Sequence, residues 1–349
     1  MLYTLAGCQR MNAGILNLVF YALLIWAVDL SSLPEIERSG AVFYSERGKA
    51  ESVLETIKKN GINGVRLRLW HNPGAGHSGM NEVRAFSARI RSEGLKVWLS
   101  IHYSDTWADP LHQEPPEAWK GISYNSLKDS VYSYTKRVVC EVRPDYVEIG
   151  NEINSGFLFP FGKIDRNKDR FLELLSVASH AVRDASGDAR IVVHYAGIYG
   201  AEEFFEMLSG LDYDVIGISF YPLWHGKNLN NLKDILITLC ERFGKGVVIA
   251  ETAYPFTLGW KDQTRNIVGL ESQLILPDFP ATPKGQKDFL MSLRRIIESI
   301  PCGEGLCYWG AELVAFRGID SEKGSPWENQ ALYDFNNRAL PAVSVFKDN

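Results

Sequence analysis

Short apolar runs alternate with longer amphipathic stretches along most of the chain. The short runs are rich in Val, Ile and aromatic residues, as parallel strands buried on both faces are. They predict eight strands, over residues 25–28, 64–70, 96–101, 146–149, 191–194, 215–219, 247–250 and 306–309. The stretches between them predict helices over residues 49–60, 81–93, 126–141, 169–185, 201–208, 229–243 and 285–299, with a weaker eighth over 331–346.

Strand–helix alternation repeated eight times predicts an α/β fold, a single-domain (β/α)₈ TIM barrel over residues 23–349. An open doubly wound sheet is the alternative, but no Gly-x-Gly-x-x-Gly motif follows the first strand. The longest irregular stretch, residues 252–284, follows the seventh strand. In a barrel such a loop opens on the C-terminal face, where active sites lie.

The N-terminal residues 1–22 read as a leader or a disordered arm. The run Leu5-Ala6-Gly7-Cys8 is similar to a bacterial lipoprotein signal, in which the cysteine becomes lipidated. Only seven residues precede Cys8 and none is basic, whereas a working signal has a charged start and an apolar stretch. Either the translation start lies further upstream or the match is accidental. The expectation is an exported protein, with lipid anchoring through Cys8 at the cell surface or in the periplasm left open.

Charge and cysteine content narrow the function classes. The net charge of −5, without a basic run of five or more residues, argues against a nucleic-acid partner, and we expect a monomer. The five cysteines match no zinc spacing. Cys140 and Cys240 fall in apolar helical stretches and predict buried thiols. Cys302 and Cys307 flank a glycine-containing turn that could join them in a disulfide.

Two glutamates follow predicted strands directly. Glu152 comes after strand four, and Glu251 comes after strand seven. Strand ends converge on one rim of a barrel, and glycosidic bond cleavage needs two carboxyl groups. Each glutamate alone could be an ordinary loop residue, but the combination is more specific. Aromatic residues beside Asp, His or Asn at other strand ends suit a sugar site, because sugars offer apolar faces for stacking and hydroxyls for polar partners.

Five motifs carry a resemblance to a known family. They are GVRLRLWHNP (64–73), HYSDTWADP (102–110), IGNEI (149–153), GISFYP (217–222) and ETAYP (251–255). Over residues 28–309 the chain resembles glycoside hydrolase family 53, the endo-β-1,4-galactanases. The resemblance implies endo-hydrolysis of β-1,4-galactosidic bonds in the (arabino)galactan side chains of pectin by a retaining mechanism. Two alternatives stay open: a related enzyme acting on another β-1,4-glycan such as mannan or glucan, and a non-catalytic galactan-binding barrel.

The same resemblance makes Glu152 the acid/base and Glu251 the nucleophile. The acid must be protonated at rest and the nucleophile ionised, so their surroundings must push the two pKa values apart. An arginine from strand two could hold Glu251 ionised. Arg66 and Arg68 share a strand face, and Arg68 is nearer the rim. Either arginine can fill this role.

Further residues are expected to bind the sugar. Asn151 would hydrogen-bond the 2-hydroxyl, a contact that can strengthen in the transition state. The other candidates are polar groups and stacking aromatics, and each could equally support its neighbours: Arg68, His102, Asp105, Trp107, Tyr221, Trp224 and Trp309.

The loop after strand seven raises the question of calcium. Some family members hold a calcium ion there through acidic and amide oxygens. Asp262 and Asn266 could serve as ligands here, although Lys261 and Arg265 stand where less basic residues would be welcome. A solvated polar loop is the alternative. No other cofactor is expected.

Overall fold

The eight predicted strands form one closed barrel. The computed structural model of the protein describes residues 24–347, in which all strands are parallel and pair in chain order, with β8 closing onto β1. The strands are β1 (Ile25–Asp29), β2 (Gly64–Leu69), β3 (Lys96–Ile101), β4 (Tyr146–Ile149), β5 (Arg190–Ala196), β6 (Val215–Ser219), β7 (Gly246–Thr252) and β8 (Gly303–Tyr308). The (β/α)₈ prediction is therefore confirmed.

Helices surround the barrel and cover its outer face. In residues 24–347 they are α1 (Leu33–Arg38), α2 (Val53–Lys59), α3 (Met80–Ser92), α4 (Tyr124–Val142), α5 (Ile164–Ala185), α6 (Ala201–Met207), α7 (Pro222–His225), α8 (Leu229–Phe243) and α9 (Pro283–Glu298). The seven stronger helix predictions are confirmed to within a few residues. The expected arm and Cys8 lie outside the described residues. No described helix has the length and apolar character needed to cross a membrane.

The predicted helix over residues 331–346 is wrong. Its second half is a 3₁₀ helix, Pro341–Phe346, which packs on α9. Its first half is irregular, with a bridge between Tyr333 and Ala339 that encloses a turn. Asn337 in that turn has a φ of 57°, and a proline cannot continue a helix from the preceding turn. Buried apolar side chains in this irregular tail produced the helix-like spacing.

The inside of the barrel divides into an apolar and a polar half. Side chains alternate between the two faces of a strand, so every second residue points inward. Near the strand starts, the inward cluster is apolar and includes Ile25, Trp98 and Val192. Two residues further along their strands stand Ser100 and His194, both fully buried. The polar half lies at the strand C-termini and forms the floor of the candidate site.

The cysteine predictions need correction. The disulfide joins Cys240 at the end of α8 to Cys302 just before β8, with the Cα atoms 5.9 Å apart. Cys302 therefore does not pair with Cys307, which faces the barrel interior as a buried free thiol. Cys140 is an exposed thiol, not a buried one. Alternation along β8 turns Cys307 inward, whereas Cys302 precedes the strand and meets the neighbouring helix.

Candidate active site

A cavity of 610 Å³ opens among the C-terminal strand ends. It brings together residues from all eight strand ends and their loops, as the barrel topology requires. Its lining comprises both predicted glutamates, most of the predicted sugar-binding residues and several aromatic side chains: Asp29, Arg66, Arg68, His102, Trp107, Ala108, Asp109, Pro110, Leu111, Asn151, Glu152, Ala196, Tyr221, Trp224, His225, Glu251, Trp309 and Trp327.

Glu251 is held by a cation and a phenol. Its Oε1 lies 2.9 Å from Arg66 Nη1, and its Oε2 accepts a hydrogen bond from the Tyr221 hydroxyl at 2.9 Å. Burial together with Glu251 raises the pKa of Tyr221 well above its usual value, so the phenol remains a donor. The carboxylate of Glu251 thus has one charged and one neutral donor that both stabilise its ionised form.

Glu152 has a different environment. Its Oε1 is 2.6 Å from the Ser219 hydroxyl, and it makes no direct ion pair among the described residues. Its backbone has a φ of 48°, which side chains other than glycine adopt at a cost. Gly150, two residues earlier, also has a positive φ, 75°. The turn after β4 therefore aims Glu152 into the cavity by means of a strained backbone.

The electrostatic surroundings of the two glutamates differ. Burial raises the pKa of Glu152 to about 7, and the Ser219 hydrogen bond only partly opposes this. Burial also raises the pKa of Glu251 to about 7, where the Arg66 guanidinium opposes the rise and the charge of Glu152 adds to it. Arg66 and Tyr221 both contact Glu251 and favour its ionised form, whereas no cation among the described residues contacts the carboxyl of Glu152.

Arg66 is the arginine that steadies Glu251. It also contacts Asp29 at 2.9 Å and Glu148 through two nitrogens, at 2.9 and 2.7 Å. Arg68, although nearer the rim, turns to Ser32 and His77 and stacks 4.1 Å from the Trp107 ring centroid. The question that the shared strand face left open is therefore resolved in favour of Arg66.

Of the predicted sugar-binding residues, His102 and Asn151 lie on the cavity floor. Burial, Arg66 and Arg68 lower the pKa of His102 well below its usual value, so it is neutral. Its Nδ1 accepts from the Ala108 N–H, which leaves the ring proton on Nε2. Asn151 Oδ1 accepts from Arg66, and its Nδ2 donates to the Ala108 carbonyl. One amide hydrogen of Asn151 remains for another acceptor.

Four tryptophans form an aromatic wall along the cavity. Trp309 lies 6.2 Å from Trp107 and 4.5 Å from Trp327, and Trp327 lies 6.1 Å from Trp224. Trp107 and Trp224 are about half exposed. Exposed aromatic faces at a concave site suit stacking against a sugar ring.

Asp105 lies outside the cavity, although the sequence analysis expects it to bind the sugar. It does not line the cavity; its two oxygens accept the backbone N–H groups of Asn72 and Glu117, each at 2.8 Å. It therefore ties the loops after β2 and β3 together. A carboxylate near a strand end looks the same in sequence whether it faces the cavity or caps a loop.

The sequence prediction missed three residues of the site: Asp29 and Trp327, which line the cavity, and Ser219, which contacts Glu152. Asp29 is a buried carboxylate at the end of the first strand. The rule that found the two glutamates at strand ends could therefore have found it. Trp327 comes from the long loop after β8, far from any strand end, so strand-end reasoning could not reach it. Ser219 ends β6 inside the barrel, and nothing in its own sequence context distinguishes it from a structural serine.

The loop after β7 holds a cluster of buried oxygens. Asp262 Oδ2, Asn266 Oδ1 and Glu328 Oε2 are buried and have no hydrogen-bond partner in the described residues. Glu328, from a 3₁₀ helix after β8, was not predicted. Lys261 donates its backbone N–H to Glu328 Oε1. Within residues 24–347, no three His, Cys, Asp or Glu side chains form a group that could hold a metal ion.

Comparison with known proteins gives a consistent result. The model of Glycosyl hydrolase family 53 matches residues 25–346. A protein of Cellvibrio japonicus named arabinogalactan endo-β-1,4-galactanase is 35% identical over 357 residues, covering 96% of this chain and 93% of its own. The endo-β-1,4-galactanase of Bacillus subtilis is 30% identical, over 93% of this chain and 85% of its own. The solved GH53 catalytic domain of Ignisphaera aggregans superposes with a TM-score of 0.88 at 37% identity, over 93% and 95% of the two chains. The chain belongs to glycoside hydrolase family 53.

Proposed function

We propose that this protein is a retaining endo-β-1,4-galactanase in which Glu152 is the acid/base and Glu251 the nucleophile. The observation that carries the assignment is the unequal environment of the two carboxyls. Glu251 is paired with Arg66 and Tyr221, whereas Glu152 is partly buried and, among the described residues, its carboxyl has a hydrogen bond only with the Ser219 hydroxyl. A double displacement needs this division, with one ionised group to attack and one protonated group to donate.

In the first step, a Glu251 oxygen attacks the anomeric carbon and the bond to the leaving sugar breaks. Glu152 gives its proton to the departing glycosidic oxygen, so that the leaving group departs as a neutral alcohol. Negative charge leaves Glu251 as the ester forms and appears on Glu152. The remaining amide hydrogen of Asn151 is the donor we assign to the 2-hydroxyl of the reacting sugar.

In the second step, Glu152 acts as a base. It takes a proton from water while the water oxygen attacks the anomeric carbon, and the bond to Glu251 breaks. The product leaves with its original configuration, and both carboxyls return to their starting protonation states. Arg66 is placed to stabilise the carboxylate of Glu251 as it is regenerated.

The proposed substrate is β-1,4-galactan, since relatives at 35% and 30% identity are named for that activity. The aromatic wall fits any pyranose chain, so another β-1,4-glycan remains the second candidate. Assays on linear β-1,4-galactan, mannan and cellulose side by side distinguish them. We expect galacto-oligosaccharides of several lengths from galactan and negligible release from the others; preferred cleavage of mannan or cellulose would overturn the substrate.

Two variants test the catalytic pair. Glu152→Gln and Glu251→Gln keep the side-chain volume but cannot donate a proton or attack, so each should lose at least about 10³-fold in kcat on galactan. Proton NMR of the wild-type reaction should show the β-anomer first. Near-wild-type turnover of either variant, or the α-anomer as first product, would overturn the mechanism. Galactan binding without any hydrolysis by the wild type would favour a non-catalytic barrel.

We also propose a calcium ion at the loop after β7. Calcium prefers carboxylate and amide oxygens, and Asp262, Asn266 and Glu328 offer three buried oxygens that have no hydrogen-bond partner within residues 24–347. Such an ion would hold the loop and take no part in the chemistry. Chelation should lower the melting temperature, added calcium should restore it, and Asp262→Asn should abolish the response. An unchanged melting curve would remove the proposal.

A further inference from the structure

Glu152 stands at the end of a hydrogen-bonded chain that crosses three strands. From Glu152 Oε1 it is 2.6 Å to the Ser219 hydroxyl, and from there 2.7 Å to His194 Nε2. On the other side of the ring, His194 Nδ1 lies 2.9 Å from Glu148 Oε1. Ser219, His194 and Glu148 are all fully buried. None of the three lines the cavity, and of the three only Ser219 contacts the carboxyl of Glu152.

At the Glu148 end of this hydrogen-bonded series, the donor and the acceptor are fixed. Glu148 accepts from Arg66, from the Trp98 indole and from the Ser100 hydroxyl as well as from His194. Although burial opposes it, Arg66 and His194 lower the pKa of Glu148 well below its usual value. Glu148 is therefore an acceptor only, so His194 Nδ1 must carry the ring proton. In a neutral imidazole, Nε2 is then an acceptor.

The direction of these hydrogen bonds affects the protonation state of Glu152. Ser219 owns one proton, and both its neighbours in the chain can accept it. When Glu152 is protonated, it can donate to Ser219, and Ser219 donates onward to His194, so every link is made. When Glu152 is ionised, Ser219 must turn toward the carboxylate, and His194 Nε2 loses its donor. The acid form thus keeps one hydrogen bond that the ionised form lacks.

We propose that His194 is a positioning residue that, through the Ser219 hydroxyl, holds Glu152 in its protonated state until the leaving group takes the proton. The inference rests on the proposed acid/base role of Glu152. Its physical content is a competition for one serine proton between an imidazole nitrogen and a carboxylate. The charged and titratable groups that face Glu152 from the surrounding strands and loops are Arg66, Asp109, Glu148, His194, Tyr221 and Glu251.

The test compares the pH dependence of kcat/KM, whose alkaline limb reports loss of the Glu152 proton in the free enzyme. His194→Leu removes the acceptor, so the Ser219 proton is free to stabilise the ionised form. The alkaline limb should move to lower pH by about 0.5–1 unit, the size of one neutral hydrogen bond. His194→Gln keeps a donor for Glu148 and a carbonyl for Ser219, and it should restore the limb.

A double-mutant cycle isolates the route. In a Ser219→Ala background the link to Glu152 is cut, so His194→Leu should no longer move the limb. Ser100→Ala is the matched control, because Ser100 donates to the same Glu148 oxygen without reaching Glu152, and it should leave the limb in place. An unmoved or raised limb in His194→Leu, or a shift that persists without Ser219, would overturn the proposal.

A measurement on the unaltered protein guards against misfolded variants. Nitrogen-15 NMR of His194 in the state in which Glu152 is protonated should show a protonated Nδ1 and an unprotonated, hydrogen-bonded Nε2; a protonated Nε2 in that state would contradict the proton count. The result is separable from the acid/base assignment itself. If Glu152→Gln stays active, the proposed function fails. If Glu152→Gln is inactive while His194→Leu and His194→Gln have the same alkaline limb, only the His194 inference fails.

Discussion

Arg66 and Arg183 each bind more than one carboxylate, but at opposite ends of the barrel. Arg66 lies at the C-terminal end with 1% of its side chain exposed, and it contacts Asp29, Glu148 and Glu251. Arg183, on α5, lies at the N-terminal end with 28% of its side chain exposed. The same chemical grouping is therefore partly solvated around Arg183 and buried around Arg66.

The partners of Arg183 are Asp212 and Asp214, whose side chains are 52% and 30% exposed. Water can solvate any charge that Arg183 does not neutralise. Around Arg66 there are more carboxyls than cations and no comparable solvent access, so the surplus must be met by a proton. An excess of buried carboxyl groups over cations, and not the arginine–carboxylate grouping itself, therefore distinguishes the cavity end of this barrel from the other end.

The largest expected difference between the two ends comes from removing each arginine. Arg66→Met would leave several carboxylates buried without their cation, which typically costs about 3–5 kcal/mol of folding free energy. It should also reduce kcat by at least about 10³-fold, because the ionised form of Glu251 loses its charged partner. Arg183→Met, the matched control, should cost about 1 kcal/mol or less. Urea unfolding and galactan turnover measure both; similar losses in the two variants would break the comparison.

A smaller effect is expected from Tyr221→Phe, which removes one hydroxyl and keeps the ring. The phenol stabilises ionised Glu251, so its loss should raise the pKa of Glu251. The acid limb of kcat/KM should therefore move to higher pH, and kcat should fall about tenfold to a hundredfold, as for a hydrogen bond to a charged group. A pH profile from acid to neutral pH checks the sign. An acid limb that stays in place would mean that Arg66 alone fixes the charge of Glu251.

The sequence predicts the barrel well because its strands are short, apolar runs of uniform kind. The positions of Glu152 and Glu251 follow from the same rule, since strand ends converge whatever the loops do. The choice between Arg66 and Arg68 could not be made in this way. Both point inward, and which one reaches Glu251 depends on the stagger of the strands: Arg66 lies level with Asp29 on β1 and with Trp98 on β3.

Features that depend on irregular backbone were not predictable. The stacking role of the loop after β8 rests on Trp327, whose place follows from the path of a long loop. The partner of Cys302 is Cys240, 62 positions away, and only the packing of α8 against the barrel brings them together. The tail after residue 331 has helix-like spacing of apolar residues because those residues are buried against the barrel along an irregular path.

The smallest predicted effect concerns Glu312, a buried glutamate that the proposed mechanism does not use. Burial, and then the charge of Asp29, raises the pKa of Glu312 to about 8. Its Oε1 accepts the Ser32 N–H at 2.7 Å, while its Oε2 has no hydrogen-bond partner in the described part of the chain. Glu312 thus belongs to the same surplus of buried carboxyls as Glu152 and Glu251, the proposed catalytic pair.

A carboxyl whose pKa is higher in the folded state binds a proton that the unfolded chain releases. Its contribution to stability is complete below the unfolded pKa, about 4.3, and is lost as the pH rises toward 8. Glu312→Gln keeps the acceptor for Ser32 but cannot ionise, so the wild type should lose roughly 2 kcal/mol or more relative to this variant between pH 5 and 8. Glu304→Gln at the other end is the control. Burial raises the pKa of Glu304 too, but Arg190 at 2.6 Å supplies a cation there, so its pH-dependent difference should be smaller. If urea unfolding gave the larger difference for Glu304, an unpaired acid would not be what sets the two ends of the barrel apart.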